Sequence, residues 1–343
     1  QPRSRGLGDV YKRQGIEMAI SNSLEPGDEV IIVASGYYAT RIAEMVRCHG
    51  GRPVEVKTPL RRGVELEAVE AACDLCPNAR ALCVVHVETS TGVVNPVEEL
   101  GRLARRRGLI YIVDAVSSVG GMEVRVDDWG IDYCITGPQK ALAAPPGLAL
   151  LSVSEEALEL ASSRPGGPPS FYMDVRGWVR AMREPSKRYV THAVHLVFAL
   201  REALAIILEE GLARRFRRHA LLAEAVRRAV RAAGLELFPR EGHEADTLTA
   251  IEMPEGLSSR RVCEAVLARG VRVSPGWGEH ADRVLRIGHM GNIGPGHVLR
   301  ALTCLEEALK DLGFEAKGLA EEASSFLSRF QEELRPPDEI PSG

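Results

Sequence analysis

Two residues that are costly to bury, Asp114 and Lys140, stand where core-like segments end, and together they could do amine and carbonyl chemistry. Asp114 lies at the end of the apolar run "LIYIVDAV", and in parallel sheets the carboxyl ends of strands are where ligands bind. Lys140 follows the run "DYCITG" and a Gly137-Pro138 corner, and it precedes a second run that opens at Pro145-Pro146-Gly147. A lone lysine there either snorkels to solvent or is held for its amine, whose standard use is an imine with a carbonyl. A carboxylate and an imine lysine in one crevice are what pyridoxal phosphate asks of a protein. The carboxylate keeps the ring nitrogen protonated, and the ring then accepts electrons from the substrate carbon. Taken singly neither residue decides the matter, because strand-end aspartates also cap helices and lone lysines usually snorkel.

To bring the two together, the chain must build a sheet whose strands end side by side. From Glu29 onward, "EVIIVAS", "RPVEV", "ALCVVHV", "LIYIVDAV", "DYCITG" and "GLALLSV" read as strands, most of them separated by amphipathic helical stretches such as "PVEELGRLARRRG". Strands rich in Val, Ile and Leu alternating with helices of this length predict an α/β architecture with a mostly parallel sheet covered on both faces. After the Pro/Gly-rich "SSRPGGPPS", long helices are expected from about His195 to Ala233. A smaller alternating set then follows, "LTAIEM", "SRRVCEAVLARG", "VRVSPG", "RVLRIGHM" and "GPGHVLRALTCLEEAL", which predicts a second, smaller α+β domain. The expected division is a large domain over 15–208, a small C-terminal domain over 209–315 and a tail over 316–343 bearing a surface helix.

With 343 residues, 45% hydrophobic and 26% charged, the chain has the balance of an ordinary globular protein. A formal charge of -4 gives no electrostatic reason to expect nucleic acid or an anionic membrane as partner. No apolar stretch reaches the roughly 20 residues that span a bilayer, so the expected location is cytoplasmic. Seven scattered cysteines fit a reducing compartment, and the Cys73–Cys76 pair reads as a helix end. No metal site is expected. The runs "ARRFRRH", which ends in His219, and "RRAVR" read as solvated helix faces, His289 as structural, and His86 as at most a neighbour of the site.

The wording around Asp114 and Lys140 resembles the class V, fold type I pyridoxal-phosphate aminotransferases, and most nearly the alanine-glyoxylate and serine-pyruvate branch. "HVETSTGVVNP", "YIVDAVSSVGG", "DDWGID", "GPQKALAAPPG", "ALREAL" and "VLRIGHMG" carry it, in order, from Gly15 to about Leu312. The resemblance implies a sheet of the seven-stranded type in the large domain, with Lys140 as the Schiff-base lysine and the proton-moving acid/base. It implies Asp114 on the pyridinium nitrogen, Val116 on one ring face, Tyr38 stacked on the other, Thr89 on the ring's substituents and Gln139 on the phosphate. Thr191 and Tyr189 would reach the phosphate of a neighbouring subunit, implying a homodimer with shared active sites. Arg286 would hold the substrate carboxylate, a bidentate task that suits arginine. The implied reaction moves an amine from alanine or serine to glyoxylate or pyruvate, with ureidoglycine-glyoxylate transamination as a close variant.

The opening residues depart from the family. Ahead of Gly15 the family has an N-terminal arm and a Ser/Gly/Thr-rich turn that holds the cofactor phosphate on helix N–H groups. Here Arg3, Arg5, Lys12 and Arg13 stand against Asp9 in a segment that matches neither. Residues 1–14 are therefore expected to be a scar, with arm and phosphate turn missing, and Lys12 or Arg13 would replace part of the lost donors by charge alone. Two other readings remain open at this point. A cysteine desulfurase would need a histidine where Gln139 stands and a nucleophilic cysteine loop, and a truncated, inactive fragment would retain only dimerisation.

Overall fold

The computed structural model describes residues 11–334 except 60, 165, 185, 188 and 189. Helix α1 (Tyr11–Ser23) leads into strand β1 (Glu29–Ala34), α2 (Tyr37–Cys48), β2 (Arg52–Lys57), α3 (Leu66–Leu75) and β3 (Ala81–Val85). A short hairpin, β4 (Val87–Glu88) with β5 (Val93–Val94), precedes α4 (Val97–Arg107), β6 (Ile110–Asp114), β7 (Tyr133–Thr136), β8 (Leu150–Val153) and α5 (Glu155–Ser163). The main sheet runs β2-β1-β3-β6-β7-β8, parallel except for β8, which pairs antiparallel with β7. Its strands are the six apolar runs read from the sequence. The seventh strand implied by the family resemblance is not among the described residues.

These runs are continuously apolar because both faces of the sheet are covered, and side chains alternate between them. Ile31 and Val33 of β1 face a core with α3 and α4, while Val30 and Ile32 face one with α1, α2 and α5. Helix α4 shows how local sequence sets an element. Glu98 and Glu99 occupy its first turn, Arg105 to Arg107 its last, and Gly108 ends it at a left-handed φ of 65°.

Beyond α6 (Val175–Arg183) come the two long helices α7 (Val194–Glu210) and α8 (Leu212–Ala232). A second, antiparallel sheet follows, ordered β11 (Ser274–Pro275), β12 (Val284–Gly288), β10 (Leu248–Glu252) and β9 (Glu236–Leu237). Helices α8, α9 (Ser259–Leu267) and α10 (Pro295–Asp311) share one core with it. The helix expected on the tail's surface, α11 (Leu319–Leu327), joins that same core through Leu319, Ala323, Phe326 and Leu327, and the short α12 (Gln331–Leu334) adds Leu334. Its apolar residues recur at helical spacing, so one face can be buried while its acids stay wet. Helix α1 runs without a break through residues 14 and 15. No helix among the described residues is long and apolar enough to cross a membrane.

Candidate active site

Tyr38, Thr89, Asp114, Val116 and Lys140 line a single cavity at the carboxyl end of the main sheet, with Arg13 of α1 in its wall. The chain reaches this place from four strands. β1 delivers Tyr38 on the first turn of α2, β3 leads through β4 to Thr89, β6 ends on Asp114, and β7 runs into the Lys140 turn. Strand order reverses between β1 and β3, so the cavity sits at the topological switch point where open α/β sheets bind ligands. The buried Asp114 is fixed at both ends of the residue. Its Oδ1 accepts the Val116 N–H at 3.0 Å, and its backbone carbonyl accepts the His86 N–H at 2.9 Å.

Arg286 arrives from the other sheet. From β12 its Nη1 donates to the Thr89 carbonyl at 2.6 Å and its Nε to the Pro275 carbonyl at 2.8 Å. Burial pulls its pKa down, and Tyr38 and Glu88 oppose that. Burial likewise raises the Tyr38 hydroxyl, which bonds the Thr89 side chain, a contact that lowers it. Tyr37, beside Tyr38, stacks on Trp277 of the loop after β11 at 5.4 Å.

The lysine turn is braced by residues that the sequence reading placed on a solvated face. Arg215 is fully buried. Its Nε donates to the Gly120 carbonyl at 2.8 Å and its Nη2 to the Ala141 carbonyl at 2.7 Å, one residue past Lys140. Glu210 pairs with Arg215 at 2.7 Å and Arg218 at 2.6 Å, and Arg218 also donates to the Gly291 and Ile293 carbonyls. His219 Nε2 accepts the Gly291 N–H at 3.0 Å, and a Cβ on Gly291 would come within 3.5 Å of the Lys140 carbonyl. The solvated-face expectation thus fails for Arg215, Arg218 and His219. These side chains are the donors and acceptors for turn backbone that would otherwise be buried without partners. In "RRAVR" the expectation holds for Arg228 and Arg231, about half exposed, and fails for Arg227, which is largely buried and pairs with Asp246 at 2.7 Å.

The remaining sequence candidates divide. Gln139 lies next to the lysine, and its Oε1 is buried with no hydrogen-bond partner among the described residues, as is the Thr136 hydroxyl. Thr191 is exposed on the segment leading into α7 and is not in the cavity wall, while Tyr189 lies outside the described residues. His289 is buried against Thr249, with Nε2 at 2.9 Å from its hydroxyl. Glu88 was missed altogether. The available signal was a lone acid between the apolar Val87 and the site residue Thr89. A broader groove on the second sheet, lined by Glu236, Glu252, Glu255 and Asp282, contains none of the site residues.

Comparison with known proteins gives the chain its family. The model of the class V aminotransferase family matches residues 14–301. An uncharacterized aminotransferase of Methanocaldococcus jannaschii is 40% identical over 88% of this chain and 78% of its own. Rabbit (Oryctolagus cuniculus) alanine–glyoxylate aminotransferase is 36% identical over 86% and 76% respectively. The crystal structure of ureidoglycine-glyoxylate aminotransferase from Bacillus subtilis superposes with a TM-score of 0.87 at 30% identity, over 93% of this chain and 83% of that one. With a buried aspartate and a lysine meeting at the switch point of the sheet, and a family match over most of its length, the chain belongs to the class V aminotransferases.

Proposed function

We propose that this transaminase uses pyridoxal 5'-phosphate to move an amino group from a small amino acid, alanine or serine, to glyoxylate or pyruvate. The observation that carries the reading is the meeting of Asp114 and Lys140 in one cavity that Arg286 reaches through Thr89. The residues suit the cofactor. The cavity pairs an acid with an amine, and the Thr136 hydroxyl, which can donate, is buried without a partner among the described residues just before the lysine turn. When bound, the cofactor supplies an electron sink for the bond that breaks at the amino acid's α-carbon.

The chain's own groups do the rest. Lys140 Nζ would carry the cofactor and move the proton at the substrate α-carbon. Asp114 would hold a proton on the ring nitrogen, Tyr38 and Val116 would pack against the ring, and Thr89 would bond its substituents. Gln139 would bond the phosphate, with Arg13 as a cation in the cavity wall. Arg286 binds the α-carboxylate, for which its fork geometry is suited. Ureidoglycine as donor is the second reading, favoured by the likeness to the Bacillus subtilis structure.

The same reading takes 15–208 and 209–315 as the two domains, places the enzyme in the cytoplasm, and makes it a homodimer in which Thr191 and Tyr189 reach the partner's site. Helix α7 supports the dimer, since it exposes Val194, Val197, Phe198 and Leu208 along one side while burying Leu200, Ala203 and Ile207 on another. The test is to purify the protein with pyridoxal phosphate and measure its visible absorbance. Transfer from alanine, serine or ureidoglycine to glyoxylate is then assayed in the wild type and in Lys140→Ala. A coloured protein that bleaches in Lys140→Ala, with transfer lost, is expected; a colourless protein, or no transfer from any donor, defeats the reading.

A further inference from the structure

We propose that Glu88 is a positioning residue for transamination: by capping the N-terminus of α2 it fixes Tyr38 and, through the adjoining Thr89, Arg286. The proposal rests on the roles given above to Tyr38 and Arg286.

Glu88 ends the two-residue strand β4 and is fully buried. Its Oε2 accepts the N–H groups of Tyr38 at 3.0 Å and Ala39 at 3.4 Å. Its Oε1 accepts from Ser90, from the N–H at 3.0 Å and the hydroxyl at 2.5 Å. All four partners are donors, which is what an ionised, acceptor-only carboxylate requires. Burial pushes its pKa up, and the bonds from Ser90, Tyr38 and Ala39 offset that only in part. The positive end of the α2 dipole favours the same charged form.

Helix α2 needs this carboxylate. The residue before it, Gly36, has no side chain to cap with, so the first N–H groups take their acceptor from another strand. The corner is also shaped around Glu88, since a Cβ on Gly36 would lie 2.5 Å from Glu88 Cγ and 2.7 Å from its Cδ. Ser90 completes the tie, as its Oγ accepts the Tyr37 N–H at 3.2 Å.

Thr89 joins the two functional groups. Its side chain bonds the Tyr38 hydroxyl and its carbonyl accepts from Arg286. The segment 88–90 therefore sets the covering ring and the carboxylate receptor as one unit. Loosening the clamp at Glu88 shifts both, although Glu88 itself is not part of the cavity wall.

Glu88→Gln keeps the volume but turns an amide NH2 toward either Ser90 or the first turn of α2, so one half of the clamp faces donor to donor. In protein loaded with pyridoxal phosphate, we expect KM for the amino donor to rise about tenfold or more, with a smaller change in kcat. Cofactor binding, followed by absorbance titration, should weaken in the same variant. Wild-type KM and cofactor affinity in Glu88→Gln overturn the proposal, whatever happens to its melting temperature. If Glu88→Gln does not fold, Ser90→Ala decides, because it removes one donor to the same oxygen: a raised KM supports the proposal and an unchanged one overturns it. An unchanged KM in Arg286→Lys would instead defeat the role of Arg286, so the two failures are distinguishable.

Discussion

Removing Arg215 tests whether buried cations on α8 hold the lysine turn in place. Arg215→Ala takes away the donors to the Gly120 and Ala141 carbonyls, both bonded at under 3 Å. Glu210 is not orphaned by the change, because Arg218 still reaches both its oxygens. The cost is therefore that of two buried acceptors left without donors, about 1–3 kcal/mol each. A total near 4 kcal/mol is a large share of the 5–15 kcal/mol, roughly, that holds most domains folded. Urea unfolding followed by circular dichroism measures this loss, and cofactor titration measures whether the Lys140 turn loosens with it. Arg215→Lys should recover only part of the loss, since a single ammonium cannot reproduce the guanidinium fork. A loss below about 1 kcal/mol, or a large loss with unchanged cofactor affinity, would refute the brace.

Two other outcomes follow from the same structure. Burial lowers the pKa of His86 and His219 to about 4 and of His289 to about 3. Between those values and an ordinary histidine pKa near 6.5, the unfolded chain binds protons that the folded one does not. Stability is then full above about pH 6.5 and falls as the pH drops toward 4; a urea midpoint flat across that window would contradict it. Phe198→Glu places a charge on the exposed apolar side of α7, and sedimentation is expected to show the proposed homodimer shifting to monomer, whereas an unaltered assembly would move the proposed interface elsewhere.

Much of the large unit was legible because its signals are local. A strand buried on both faces reads as an unbroken apolar run, and all six runs became strands of the main sheet. Helix α4 carries its charges and its closing glycine in its own sequence. Asp114 and Lys140 announced themselves as expensive residues at the ends of such runs, and both line the cavity.

The misreadings have a shared cause. A helical repeat of arginines looks solvated when its partners are backbone carbonyls contributed by distant turns, as Gly120, Ala141 and Gly291 are for Arg215 and Arg218. The cap of α2 was invisible because Gly36 offers none, and the acid that supplies it comes from another strand. Helix α11 looked like a surface tail because periodicity marks an apolar face without saying what covers it.

The sequence by itself determined the alternation of strands and helices, the family, and the two residues whose chemistry needs each other. Only the tertiary structure decided that Thr89 ties Tyr38 to Arg286, that Glu88 caps the helix carrying Tyr38, and that α8 braces the lysine turn. Hydrophobic pattern fixes which face of an element is buried, but a buried polar group's partner is set by whichever donor or acceptor the folded chain brings within about 3 Å of it.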